Sequence, residues 1–376
     1  AETGARTYPI HWGRVGDSIN PSIFDYYAVS KVYSELAVYE SGLKNWVSIR
    51  QTGQHPSADG AGEEPIIFHQ PANNVLEWST SIESGICMAN ICEDWVPESF
   101  WRKGYNLSSG PEYRLTCWEL LDINLSAFGI GIKDLYDADA LPLYNFHGHY
   151  FSDSQKLDDI LHFRCIPGKQ YWEGVREEMR RMKANPMVAA MFPTAEQMKA
   201  HNIEIGHKKG GLYYALEHND EDWIHAFYGS KEKRDAIGTW DDVKLFHPSE
   251  EETYLDHGYD EEKGIENLSL DDLKKAAEFR GGKCLAAEKP ADIYTPILWE
   301  CADGHQFEMS VNAVLQGGHW CPECLAKEWH CADMAKKNPF YAQVWTPLHG
   351  EEDEFIVPME YSGFTISKEL KKRLNL

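Results

Sequence analysis

Residues 21–53 read PSIFDYYAVSKVYSELAVYESGLKNWVSIRQTG, and they decide the fold class. Val29, Val32, Leu36 and Tyr39 recur three or four positions apart, which is one face of an α-helix over about 25–41. Pro21 precedes that helix, and Gly42 stands where a left-handed C-cap residue belongs. The run 46–49 (WVSI) then reads as a short strand. A Gly-, Ala- and Pro-rich loop covers 52–65, and 66–68 (IIF) reads as a further strand. Helix alternating with strand across the first 120 or so residues predicts a layered α/β sheet.

The whole chain has 376 residues, 43% of them hydrophobic and 26% charged, enough for two or three cores. Thirty-six Lys and Arg stand against 60 Asp and Glu, a net charge of −24. Such a surface repels phosphate backbones and anionic lipid, so small molecules are expected as partners, not nucleic acid or membranes. The densest basic stretch, 176–183 (REEMRRMK), carries its own glutamates and reads as a solvated helix face. No apolar run is long enough to span a bilayer, and no N-terminal leader pattern is present, so a cytoplasmic protein is expected. A homo-oligomer stays open.

Beyond residue 150 the pattern turns helical and aromatic up to about 248. An amphipathic run covers 174–183, and Thr194 with Glu196 opens another helix in capping style. Trp223, Trp240, Tyr213 and Tyr214 read as core aromatics. The acidic stretch 249–264 reads as a linker or exposed loop, and Ser269 caps a short helix ending at Gly281-Gly282. His147 and His149 read as loop residues. The segment 338–345 is apolar enough to pack back on the body.

Nine cysteines occur, four of them within 301–331. Cys301-x3-His305 and Cys321-x2-Cys324 form two knuckles about fifteen residues apart, each offering two ligands. Zinc takes four soft or borderline donors in a tetrahedron, so this pattern predicts a closed, structural zinc site. Cys284 is a fifth candidate for four places, while His319 and Cys331 read as bystanders. The stretch 280–330 holds four Lys/Arg against seven Asp/Glu, a net of −3 that disfavours phosphate binding. The segment from Leu270 to Cys324 resembles a treble-clef-like or ribbon-like module.

Tyr27 and Lys31 lie four apart on the first helix, so a phenol and an ammonium share one face. A nearby cation lowers a phenol's pKa and makes it usable as an acid/base. Pro21, Tyr27-x3-Lys31, Glu35 and a strand ending in Arg50 together resemble the extended short-chain dehydrogenase/reductases, the NAD-dependent epimerase/dehydratase family. Glu83 and the Tyr105-Asn106…Gly110 strand end match further features. The resemblance covers about 1–125. It implies an NAD(P)-dependent oxidoreductase or isomerase acting on a hydroxyl- or keto-bearing small molecule, a nucleotide sugar among them. Tyr27 would be the acid/base, Lys31 would tune it and hold the nicotinamide ribose, and Thr52, Gly53 and Gln54 would lie against NAD or NADP.

The family's glycine-rich strand–turn–helix is not found among the 29 glycines. Its Ser/Thr position falls at or just before Ala1, with Thr3 the nearby candidate. The expected fold is therefore a partial Rossmann-like sheet missing its N-terminal half, a helical substrate region and a small zinc-binding module. Boundaries are expected at 1–260, 265–330 and 331–376. A non-catalytic, zinc-containing scaffold or binding protein is the alternative reading.

Overall fold

The computed structural model describes residues 12–19, 26–56, 64–144, 148–325, 329–347, 349 and 356–357, with backbone alone at 26, 27, 329, 356 and 357. Helix α1 (Tyr26–Tyr39) and strand β1 (Val47–Gln51) form where the periodicity places them, with Gly42 at φ 70° after the helix. β1 pairs in parallel with β5 (Lys103–Leu107). Next to them, β2 (Gln54–His55) runs parallel to β4 (Ser79–Thr80), and β3 (Val75–Glu77) runs antiparallel to β6 (Arg114–Thr116). Backbone bonds from Thr52 N to Leu107 O (3.3 Å) and Ser79 N to Gly53 O (2.9 Å) stitch these pairs together. The fold is mixed α/β, with small sheets and about half of the described residues helical.

The period-two alternation of β1 separates two environments. Val47 and Ile49 pack against a core of Phe100, Tyr105, Leu107, Leu157 and Phe163. Ser48 and Arg50, between and after them, turn to Glu35 of α1 instead. The apolar stripe of α1 (Val29, Val32, Tyr33, Leu36) belongs to a second core, which it shares with Trp299, Phe307 and Met309 of the C-terminal third. Those three come from an antiparallel sheet of β7 (Lys283–Cys284), β8 (Pro296–Glu300) and β9 (Gln306–Ser310).

Several expectations need correction. Residues 66–68 are not a strand: Pro65–His69 is a 3-10 turn with Pro at its start, and Phe68 packs on Tyr136 and Tyr213. Proline favours a first helical position because its φ is preset and its missing N–H is not needed there. The amphipathic helix begins earlier than 174 and spans Gly168–Ala184; its first amide donates to the Glu112 carboxylate at 2.7 Å. In the helix Ala195–Gly206, Gln197 rather than Glu196 closes the capping box with Thr194. The acidic stretch 249–264 is pinned rather than loose, since Leu255 and His257 are buried and His257 Nε2 lies 2.8 Å from Asp17.

Elsewhere Ser269 caps the helix Leu270–Phe279, with Asp272 completing the box. Trp223 is buried, whereas Tyr213, Tyr214 and Trp240 are half-buried. The helix Pro339–Trp345 buries Phe340, Tyr341, Val344 and Trp345. Phe340 packs against His257 and Phe279, and Gln343 accepts from the Asp256 amide at 2.9 Å. This segment therefore packs on the acidic stretch and on the 270–279 helix. Residues 350–355 and 358–376 lie outside the described residues.

The joint between α1, β1 and the C-terminal third is a buried ion pair. Arg50 donates from Nε and Nη2 to the two Glu35 oxygens at 2.9 and 2.8 Å, and from Nη2 to Gly317 O at 2.6 Å. Burial by itself would raise the Glu35 pKa; Arg50, and then His319, outweigh it and hold the carboxyl well below its usual range. Removing one partner of a buried pair strands the other charge. Glu35→Gln is thus expected to cost about 3–5 kcal/mol in denaturant unfolding at neutral pH. A carboxyl with a depressed folded pKa contributes stability above its unfolded value, about 4.3, and that contribution is lost as pH falls through the folded value. The acid limb of the wild-type stability curve should therefore flatten in Glu35→Gln, and a loss below about 1 kcal/mol would contradict the role given to this pair.

Candidate metal centre

Two tight turns build the site. β8 ends at Cys301, the chain reverses through Gly304 at φ 79°, and His305 leads into β9. Bonds from Cys301 N to His305 O and from Gly304 N to Cys301 O, both 3.0 Å, close the first knuckle. The second is a single helical turn, Pro322–Leu325, which starts after Cys321 and carries Cys324. Each turn brings its own two donors together, and the shared core brings the turns to each other.

Cys301, His305, Cys321 and Cys324 offer ligand atoms that all lie within 4.8 Å of one another. His305 Nδ1 is 3.4, 3.7 and 3.3 Å from the sulfurs of Cys301, Cys321 and Cys324, and Cys301 Sγ is 3.7 Å from Cys324 Sγ. Zinc–sulfur and zinc–nitrogen bonds of about 2.3 and 2.0 Å imply tetrahedral edges of roughly 3.5–3.8 Å. The four residues could therefore hold a metal such as zinc. Three sulfurs this close cannot all ionise without a cation among them. The S–H groups of Cys321 and then Cys324 pull Cys301 below the ordinary thiol range, while Cys324 is pushed up by Cys301 and Cys321. A dication at the centre removes that conflict. Four protein donors around one ion would leave no open position for a catalytic water.

The helix α1 is the platform on which this centre rests. Tyr33 donates its hydroxyl to Pro322 O at 2.7 Å, inside the second knuckle. Glu35 Oε2 lies 3.0 Å from His319 Nε2, and Tyr39 meets the same imidazole edge to face. Glu40 accepts from Ser310 N and Oγ at 3.1 and 2.6 Å. Gly318 allows the close approach: it adopts φ 74°, and a Cβ there would fall 2.0 Å from Asp17 O. His319 lies outside the group of four donors, as expected, and faces Glu35 and Tyr39 instead. Cys284 lies buried on β7 opposite Trp299, outside the group of four, and Cys331 is buried at the start of the helix Cys331–Lys337.

Tyr27 belongs to α1, but its phenol lies outside the described side chains, as does all of Thr3 and His147. Lys31, one turn on, is exposed. The Thr52–Gly53–Gln54 turn follows β1, and a Cβ on Gly53 would meet the Trp78 ring at 2.8 Å. Glu83 is buried and accepts from the Cys165 and Ile166 amides at 2.7 and 2.8 Å, so it anchors a neighbouring loop. Sequence reasoning missed the partner of Glu35, His319, because nothing in the local spacing joins the two. It also missed Trp118 and Trp172, which line a cleft described below. A tryptophan at a polar helix position was the available signal.

No family model, curated protein or solved structure matches the chain. Among the described residues, no helix is long and apolar enough to cross a membrane.

Metal binding and folding are coupled where a site does not exist in the unfolded chain. The protein purified without chelator should carry one zinc per chain by elemental analysis, and Cys324→Ala should lose it. Stripping the metal is expected to lower the unfolding temperature and to speed amide exchange both in 296–325 and along residues 28–39 of α1. Faster exchange confined to 296–325 would show that the docking contacts do not couple the two.

Proposed function

We propose that the chain is a zinc-braced α/β protein whose body carries the acid/base pair of an epimerase/dehydratase-type oxidoreductase. The observation that supports this is the Glu35–Arg50 pair, which locks the helix bearing Tyr27 and Lys31 against the strand leading to Thr52, Gly53 and Gln54. The parallel pairing of β1 with β5 supports it further, as a remnant of a Rossmann-like sheet. On this reading Tyr27 takes or gives the proton of a substrate hydroxyl, and the Lys31 ammonium makes that phenol more acidic. The substrate class, a hydroxyl- or keto-bearing small molecule such as a nucleotide sugar, rests on family resemblance alone. A site of three reduced thiolates and a histidine, in a chain without a disulfide, suits the cytoplasm.

NAD or NADP rests on the resemblance alone: Trp78 packs against Gly53, and these 376 residues hold no glycine-rich turn to take a diphosphate. No step is therefore routed through a dinucleotide. The same observation favours a second reading, a non-catalytic scaffold or binding protein that uses the zinc module for protein contacts.

Tyrosine titration separates the two. Burial pushes Tyr33, Tyr39, Tyr136 and Tyr228 above the usual phenol range. Against that background, the acid/base reading expects one phenol that ionises early, below about 10. It should vanish in Tyr27→Phe and move up in Lys31→Met, as read by phenolate absorbance. No early-ionising phenol, or one that survives Tyr27→Phe, would leave the scaffold reading in place.

A further inference from the structure

A cleft between α3 (Cys117–Leu125) and the helix Gly168–Ala184 takes no part in either reading. Its volume is about 530 Å³, inside the range of about 300–1,000 Å³ typical of small-molecule sites. Leu115, Trp118, Ile123 and Trp172 supply hydrocarbon to its lining. Both indole N–H groups are already used, Trp118 Nε1 on Phe246 O and Trp172 Nε1 on Glu112 O, each at 3.3 Å. Trp172 and Ile123 are almost fully buried, so the half-buried Trp118 ring supplies most of the apolar surface left for a ligand.

The rest of the lining is charged. Glu112, Glu119, Asp122 and Glu173 face two cations, Lys169 and Arg176. Several of these are fixed by internal bonds: Glu112 accepts from Gly168 N at 2.7 Å, and Glu119 from Thr116 N at 2.8 Å. A carboxylate offers about four lone-pair sites, so each keeps acceptor capacity for a ligand. Asp122 and Arg176 are 3.7 Å apart, loose enough that a hydroxyl can bridge them. A hydrocarbon lining among charged groups matches a molecule with an apolar C–H face and a perimeter of hydroxyls. Glu173 is already paired with Arg180 at 2.7 Å, so four carboxylates stand against three cations, and the remaining negative charge disfavours a phosphate ester and favours an ammonium.

We propose that this cleft binds an unphosphorylated pyranose, an amino sugar in preference to a neutral one. The binding needs neither Tyr27 nor the metal, so it stands or falls apart from the reading above.

Saturation-transfer NMR on the intact chain tests it with glucosamine, methyl glucoside and glucose 6-phosphate. Glucosamine should bind about tenfold more tightly than methyl glucoside, with no transfer to glucose 6-phosphate. Trp118→Ala should weaken both neutral and amino sugars by several-fold to about tenfold. Asp122 and Glu173 are well exposed, at 49% and 63%, so the double variant Asp122→Lys/Glu173→Lys keeps the fold while reversing the charge of the cleft. It should invert the order and admit glucose 6-phosphate. The proposal is overturned by a lack of transfer to all three sugars, by equal binding of glucose 6-phosphate and glucosamine in the wild type, or by an order that the charge reversal leaves unchanged.

Discussion

Glu35 is almost wholly removed from water, and its charge is balanced by one residue of a strand and one of the C-terminal third. Arg50 reaches it from β1, His319 from the segment beside the metal centre, and Gly317 lends its carbonyl to the same guanidinium. Placing a carboxylate and a guanidinium in a protein interior costs several kcal/mol each, and only good geometry with further hydrogen bonds recovers it. The two-pronged contact from Nε and Nη2 supplies that geometry. The arrangement is therefore selective: neither the helix nor the strand can shift without leaving a buried charge unpaired. Burial pulls the His319 pKa down while Glu35, 3.0 Å from its Nε2, pulls it up, and the lowering prevails.

The metal centre works on the same joint from the other side. Two turns closed by their own backbone bonds are held together by four donors, yet the turns also rest on Tyr33, Glu40 and the apolar stripe of α1. The shared core, with Leu36 and Trp299 in one cluster, gives the module a hydrophobic reason to stay docked. An ion held by both turns would couple their folding, and the polar contacts beside them, from Tyr33 and Glu40, come from α1 and the residue after it.

What was legible in the sequence was local. The stripe of α1, the Ser269 cap and the pairs Cys301/His305 and Cys321/Cys324 each depend on residues within a turn or two, where spacing dictates geometry. The run 66–68 was misread for the same reason in reverse: three apolar residues fit a strand or a tight helical turn, and Pro65 tips the balance. Contacts between distant segments leave no such trace. Nothing near Glu35 announces His319, and nothing near Trp118 announces that Trp172 lines the same cleft, because both arrangements arise only after distant helices have packed. The acidic stretch 249–264 looked like a linker from its charge, but two buried residues, Leu255 and His257, decide its path.

The contacts of α1 with the C-terminal third lie in its middle and at its C-terminal end. Tyr27 and Lys31 lie in its first half, while Tyr39 and Glu40, against the zinc module, mark its other end. Between them Tyr33 and Glu35 bond to Pro322 and Arg50, so the helix is fixed at its middle by both the module and the sheet. If metal binding favours the docked position of that helix, then a ligand that needs Lys31 in the same position is favoured with it. Linkage makes the relation reciprocal: the ligand must tighten the metal by the same factor as the metal tightens the ligand. A helix pinned at one end could turn about that point and break the connection. One held through Tyr33, Glu35 and Glu40 in succession has no such pivot, so any movement of the C-terminal third has to be shared by the helix.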